Sequence, residues 1–203
     1  MVGPVEVPVV EIEGCARSHA VLLEAVGGLT DDEARRPSLL PDWTVGHVLT
    51  HLARNADSVV HRLEGAARGE VLDQYVGGAA GRADAIEAGA TRSAAELLAD
   101  LRSSAAAVDD LLPRLPAVTW GRPTRTVSGL EQPAAQVVST RWREVELHHV
   151  DLGLGYLPDR WPPDLVSACL PALLGGLPGR TDPGTLLAWL VGRGPAPVPG
   201  PWS

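Results

Sequence analysis

Apolar residues along the chain recur at intervals of three and four, the period of helices lying on a core, and no run alternates convincingly as a half-buried strand would. Ile12, Cys15, Ala16, Leu22, Leu23 and Val26 mark a first helix from Val9 to Val26, with His19 on the same face. The spacing predicts a second from Pro41-Asp42-Trp43-Thr44 to about Ala67, capped by Asp42 or Thr44 and carried by Val48, Leu52, Val59 and Leu63. A third runs through Leu97, Leu98, Leu101, Ala105, Val108, Leu111 and Leu112, opened by the capping box Ser93-Ala94-Ala95-Glu96 and stopped near Pro113 to Pro116. The fourth follows Ser128 to Pro133 and ends at Gly153 or Gly155.

Between these lie a short capped turn at Thr30-Asp31-Asp32-Glu33, a loop from Pro37 to Pro41 and another from Trp120 to Val127. The weakly patterned stretch from Glu70 to Ala90 contains Gly77 to Arg82, a loop or helix start whose only strong cation is Arg82. It is no phosphate cradle, since no Gly-Lys-Ser/Thr follows and no strand precedes it. Four long amphipathic helices predict an all-α core, a four-helix bundle over residues 1–155. Residues 156–203 read as a small, mainly helical appendage that completes the substrate pocket. It has helices at Pro163–Leu174, bent or split by Pro171, and Thr185–Val191, then a Pro-rich tail from Gly194 to Trp202.

The chemistry concentrates on the fourth helix. At 3.6 residues per turn Arg141, Glu144, His148 and Asp151 fall within one quarter of its circumference, beside an apolar stripe of Val138, Trp142, Val145 and Leu152. Ionisable groups flanking a buried stripe imply an ion network or a ligand site. Glu144 and His148, one turn apart, can grip one metal ion, and a third ligand must come from elsewhere. On the second helix His47, His51, Asn55 and Ser58 are spaced by four, four and three, and either His47 or His51 can supply it. His19, with no partner nearby in sequence, reads as a hydrogen-bonded core histidine.

Composition narrows the classes. The 203 residues, 45% hydrophobic and 21% charged, suit one domain or one domain with an appendage, and no apolar run approaches the roughly eighteen residues of a membrane span. A net charge of −8 argues against a nucleic-acid surface. Met1 to Glu6 has no positive region ahead of an apolar core, so no secretory signal is read. Cys15 and Cys169 are too few for a disulfide framework, and a cytoplasmic protein with inert thiols is expected. All seventeen cations are Arg, and Phe is absent, as for a very G+C-rich genome.

Four segments taken together, Pro41-Asp42-Trp43-Thr44-Val45-Gly46-His47-Val48-Leu49-Thr50-His51-Leu52-Ala53, Gly81 to Ala90, Arg141 to Gly153 and Trp189-Leu190-Val191-Gly192-Arg193-Gly194, resemble the mycothiol-dependent maleylpyruvate isomerase family. That family belongs to the DinB-like metal-binding four-helix bundles, and the likeness runs in order along nearly the whole chain. The resemblance implies zinc ligands at His51, Glu144 and His148, choosing His51 over His47. It also implies active-site roles for Asp151, Arg193 and Arg82. Maleylpyruvate-type members usually carry a longer C-terminal domain with strands, whereas about fifty residues follow the fourth helix here, so a different substrate pocket is expected.

Two imidazoles and one carboxylate leave a zinc ion an open position, where a thiol would lose its proton. The resemblance therefore implies an enzyme using a divalent metal, zinc foremost, and mycothiol. In it a metal-bound thiolate adds to an activated double bond of a small acid, the bond rotates, and expulsion of sulfur completes a cis-trans isomerisation. Arg193 and Arg82 would clamp a carboxylate or enolate, and Asp151 would orient an imidazole or pair with Arg141 or Arg143. The alternatives are a mycothiol S-transferase acting on an electrophile in detoxification or secondary metabolism, and a non-catalytic metal-stabilised bundle. Nickel, iron(II) and cobalt suit the same ligands. Expected partners are a small-molecule substrate and a low-molecular-weight thiol, without nucleic acid or membrane, in a monomer or small homo-oligomer.

Overall fold

A computed structural model describes residues 6–200. The amino-terminal residues 1–5 of the segment judged to lack a signal, and residues 201–203 at the end of the Pro-rich tail, lie outside it. The chain forms two compact units, Met1–Trp161 and Pro162–Ser203. Among the described residues no helix is long and apolar enough to cross a membrane.

The first unit is built on α1 (Val9–Ala25), the short α2 (Asp31–Ala34), α3 (Val45–Arg68), α4 (Gly78–Ala90), α5 (Ala94–Leu111) and α6 (Ala134–Asp151). The four long helices predicted from the pattern are α1, α3, α5 and α6, and they pack as the expected bundle, with α3 touching α4, α5 and α6 and α1 touching α5 and α6. Three capping boxes start elements where the sequence placed them: Thr30 with Glu33, Thr44 with His47, and Ser93 with Glu96. Thr44 rather than Asp42 caps α3, because Asp42 stands in the left-handed region at φ 63° and turns the chain into the cap.

Two features depart from the pattern. The stretch after Gly77 is a full helix, α4, which buries only Ile86, Gly89 and Ala90. It packs on α3 through small residues: a Cβ on Gly46 would overlap the Ala90 carbonyl oxygen, and one on Gly89 would press on Thr50. A helix seated through glycine needs no row of large apolar side chains, so periodicity does not reveal it. The predicted loop after α5 holds a two-stranded antiparallel hairpin, β1 (Pro123–Arg125) and β2 (Glu131–Pro133), with Thr124 opposite Gln132. Just before β1, Arg122 donates to the carbonyls of Ala66 and Ala67 at 2.7 Å each, closing the C-terminal end of α3.

The bundle interior is layered. One apolar cluster gathers Leu22, Val48, Leu49, Leu52, Leu97, Leu101, Val145 and Leu152, and a second gathers Val59, Leu63, Val108, Leu112, Trp120, Val137 and Val138. On each long helix a buried polar residue lies between the two sets: His19 on α1, Asn55 on α3, Ser104 on α5 and Arg141 on α6. Arg141 is completely enclosed. It donates to His19 Nε2 at 3.1 Å, to the Leu52 carbonyl at 2.8 Å and to Asn55 Oδ1 at 2.9 Å. His19 Nδ1 meets Asp109 of α5 at 2.8 Å, so the buried cation reaches a carboxylate through an imidazole. Cys15, beside His19, is an inert core thiol whose pKa burial pushes up to about 12.

The second unit contains α7 (Pro163–Gly176) and α8 (Pro183–Leu190). Pro171 does not split α7, which is continuous through it. Its fixed φ suits a helix, and the carbonyl one turn back, on exposed Ser167, is open to water. Asp182 caps α8 by accepting from Thr185 N at 2.8 Å, and Arg180 holds the tail by donating to the Gly200 carbonyl at 2.8 Å.

Replacing His19 with Leu removes the acceptor for Arg141 Nε and cuts its route to Asp109. The expected loss is about 3–5 kcal/mol, the cost of leaving a buried charge uncompensated, read from urea unfolding against wild type.

Candidate metal centre

His51 projects from α3 one turn before Asn55, and Glu144 projects from α6 one turn after Arg141. The hydrogen bond between Asn55 and Arg141 therefore fixes the register that brings His51 to Glu144 and His148. Their donor atoms form a tight triangle: His51 Nε2 to Glu144 Oε2 is 3.0 Å, His51 Nε2 to His148 Nε2 is 3.0 Å, and His148 Nε2 to Glu144 Oε2 is 3.4 Å. The three atoms lie within 4.8 Å of one another. Ligands about 2.0–2.1 Å from a shared tetrahedral ion stand about 3.3 Å apart, so the triangle already has the size of a coordination face. Two imidazole nitrogens facing each other also repel unless a proton or cation lies between them. The donor set fits a divalent metal.

The surroundings set proton positions. His148 Nδ1 meets Asp151 Oδ2 at 2.8 Å, which holds the proton on that nitrogen and turns the Nε2 lone pair to the triangle. Arg82, from α4, donates through Nη2 to His51 Nδ1 at 3.1 Å. A guanidinium only donates, so His51 Nδ1 is the acceptor and its proton sits on Nε2, toward Glu144. Burial is the main force holding His51 near a pKa of about 4, and it outweighs the hydrogen bond to Glu144. For His148 burial acts the same way but is overcome by Asp151 and Glu144, and the pKa rises to about 9. Burial also opposes ionisation of Glu144, yet hydrogen bonds from both histidines hold its carboxyl well below the usual range.

One side of the site is open: the side chains of Glu144 and His148 are 20% and 18% exposed, against 3% for His51. The loop before α3 packs beside it. Leu39 N donates to the Asp151 carbonyl at 2.8 Å, and the Trp43 ring sits 5.7 Å from that of His51. Trp43 also lines a surface cleft of about 480 Å³ formed by Pro37 to Thr44.

His47, the other candidate on α3, is engaged elsewhere: its Nδ1 accepts from Thr44 N at 3.1 Å and its Nε2 lies 3.4 Å from Glu87. Asp151 pairs with His148, and Arg141 is turned to His19, Leu52 and Asn55 instead of to Asp151. Arg193 belongs to the second unit, where its Nη1 donates to the Val191 carbonyl at 2.5 Å. The sequence reading overlooked Glu146, which is 3% exposed and accepts at 2.5 Å from both Ser18 Oγ and Tyr156 OH. His149 stacks on Tyr156 with ring centres 3.8 Å apart. Glu146 and His149 are the second members of the Glu-Val-Glu and His-His pairs and line the α1 side of the helix. Their partners were visible only once the fold brought Ser18 and Tyr156 to them.

A helical bundle with two histidines and one glutamate converging from facing helices has the architecture in which bundle proteins build metal sites. The profile of the mycothiol maleylpyruvate isomerase N-terminal domain matches residues 15–153, and the chain belongs to that family. Among solved structures, a crystal structure of the mycothiol-dependent maleylpyruvate isomerase and one of a histidine-to-alanine variant of that enzyme each superpose with a TM-score of 0.75 at 24% identity. Each covers 79% of this chain, and the chain spans 66% of their length. No curated protein matches the sequence. The fold is therefore that of the DinB-like isomerases.

The protonation pattern makes metal uptake pH-dependent. At neutral pH a cation must displace one proton from His148, whereas His51 needs only to move its proton between nitrogens. Apparent zinc affinity is expected to climb about tenfold per pH unit from 7 toward 9 and to level off above it, measured by chelator competition. Asp151→Ala, which removes the acceptor at His148 Nδ1, is expected to weaken zinc binding by about 10- to 100-fold.

Proposed function

We propose that this protein is a metal- and mycothiol-dependent isomerase that converts a small unsaturated acid of the maleylpyruvate kind from cis to trans. The observation that carries the reading is the convergence of His51, Glu144 and His148 into a half-open triangle in a chain of this family. These three residues would hold the cation, zinc foremost for a mixed nitrogen and oxygen set. Bound there, it would supply a Lewis-acidic position at which a thiol ionises at neutral pH.

The chain's own groups do the rest. Asp151 keeps His148 in the tautomer that offers Nε2, and the exposed edges of Glu144 and His148 leave a path for sulfur and substrate. An imidazole that gives up its Nε2 lone pair carries its proton on Nδ1, where Arg82 can no longer donate. Arg82 is thereby released to face an anion beside the site. A thiol bound at the triangle would supply a nucleophilic sulfur for reversible addition to the activated double bond, which would let the carbon-carbon bond turn from cis to trans by way of an enolate and return the thiol unchanged. Arg82 would stabilise the enolate or a carboxylate, and Arg193 enters the reading as a second clamp through the family resemblance alone. A cytoplasmic location goes with a cofactor that must stay reduced.

Zinc-loaded protein incubated with mycothiol and maleylpyruvate is expected to give an isomer of unchanged mass, dependent on thiol and lost in His51→Ala. A product heavier by the thiol would instead mark an S-transferase. No turnover, with His51→Ala lowering only the melting temperature, would mark a metal-stabilised scaffold.

A further inference from the structure

Arg62 lies two turns beyond Asn55 on the α3 face that carries His51, Asn55 and Ser58, and it is 2% exposed. Among the described residues its guanidinium makes one hydrogen bond, from Nε to the Ser58 carbonyl at 3.2 Å. That bond folds the side chain back along α3 toward the metal-ligand triangle and leaves both Nη groups without an acceptor. Burying a guanidinium costs several kcal/mol in typical proteins, and here only nearby Tyr75 and Glu144 offset part of that cost.

A second orphan lies close by. Tyr75, in the segment between α3 and α4, has a buried hydroxyl with no partner. Arg82 links it to the metal-ligand triangle: its guanidinium carbon is 6.0 Å from the Tyr75 ring centre, and its Nη2 is 3.1 Å from His51. Burial lowers the pKa of Arg62 to about 10, leaving it charged at neutral pH, and the groups that oppose the shift are Tyr75 and Glu144, both close enough to be felt. Like the Tyr75 hydroxyl, Arg141 Nη2 is a buried donor without a partner, and Tyr75 and Glu144 act on that guanidinium too. Buried donors left unpaired in one region of a folded protein call for an acceptor from outside.

We propose that Arg62 and Tyr75 form an anion subsite adjoining the His51, Glu144 and His148 triangle, flanked by Arg82, which takes a carboxylate of the small acid. The planar fork of Arg62 offers two parallel N–H donors to such a group, and the Tyr75 hydroxyl a third. The subsite rests on the acid-isomerising reading for its ligand class, but its residues are tested separately from turnover.

The experiment is calorimetric titration of zinc-loaded protein with maleate, alongside Arg62→Met and Tyr75→Phe. Wild type is expected to bind maleate, and each variant to bind it about ten- to a hundredfold more weakly for Arg62→Met and several-fold more weakly for Tyr75→Phe, with zinc affinity unchanged. Arg62→Met is also expected to keep or raise the melting temperature, since it removes a buried charge with one hydrogen bond; an arginine with a structural role would lower it. Absence of maleate binding by wild type, wild-type affinity in Arg62→Met, or a large loss of stability in that variant would each overturn the subsite. Turnover is read independently. If maleate binding depends on Arg62 and wild type shows no thiol-dependent isomerisation, the subsite stands and the reaction falls; turnover with an unchanged KM in Arg62→Met gives the reverse.

Discussion

A fully enclosed arginine sits at the middle of the bundle, and the arrangement of the site depends on how its charge is met. Arg141 reaches α1 through His19 and α3 through both Asn55 and the Leu52 carbonyl, and Asp109 of α5 closes the chain of contacts behind His19. Four helices are thus held in one register by groups that cannot slide without leaving a charge unpaired in the core. Apolar packing tolerates small shifts of one helix along another, whereas a bidentate donor with fixed acceptors does not. The polar layer between two apolar clusters therefore sets the height at which α3 faces α6.

That register is what brings the candidate metal ligands of two helices together. One turn from Asn55 stands His51, one turn from Arg141 stands Glu144, and the next turn brings His148. Asp151 and Arg82 then act on opposite imidazoles in opposite senses. The carboxylate keeps a proton on His148 Nδ1, while the guanidinium keeps one off His51 Nδ1. Burial lowers both histidines: at His51 it prevails and holds the pKa near about 4, whereas at His148 the Asp151 and Glu144 carboxylates overcome it and the pKa rises to about 9.

Much of this was legible beforehand. Caps, proline stops and the 3.6-residue period located α1, α3, α5 and α6 closely, because burial of a continuous stripe writes itself into the order of residues. The i, i+4 spacing of Glu144 and His148 announced that the two side chains meet on one helix face. What stayed hidden has a common cause. α4 is seated through Gly46 and Gly89, Arg62 matters for what its Nη groups lack, and Glu146 is satisfied by Ser18 and Tyr156, which lie far from it in sequence. Contacts made by absent side chains, or by residues distant along the chain, leave no periodic trace.

The division between the two sources of information follows from range. Local order alone determined the helices, their caps and the ligand pair carried on α6, since each depends on residues within one or two turns. The tertiary structure brings His51 and not His47 to that pair, as the family resemblance implied, and it alone decided that Asp151 pairs with His148 rather than an arginine and that Arg141 joins a buried network with His19 and Asn55. Those outcomes depend on the rotation and height of one helix against another. They are set by long-range packing and by the partners that buried polar groups find across helices, and no single stretch of sequence contains those conditions.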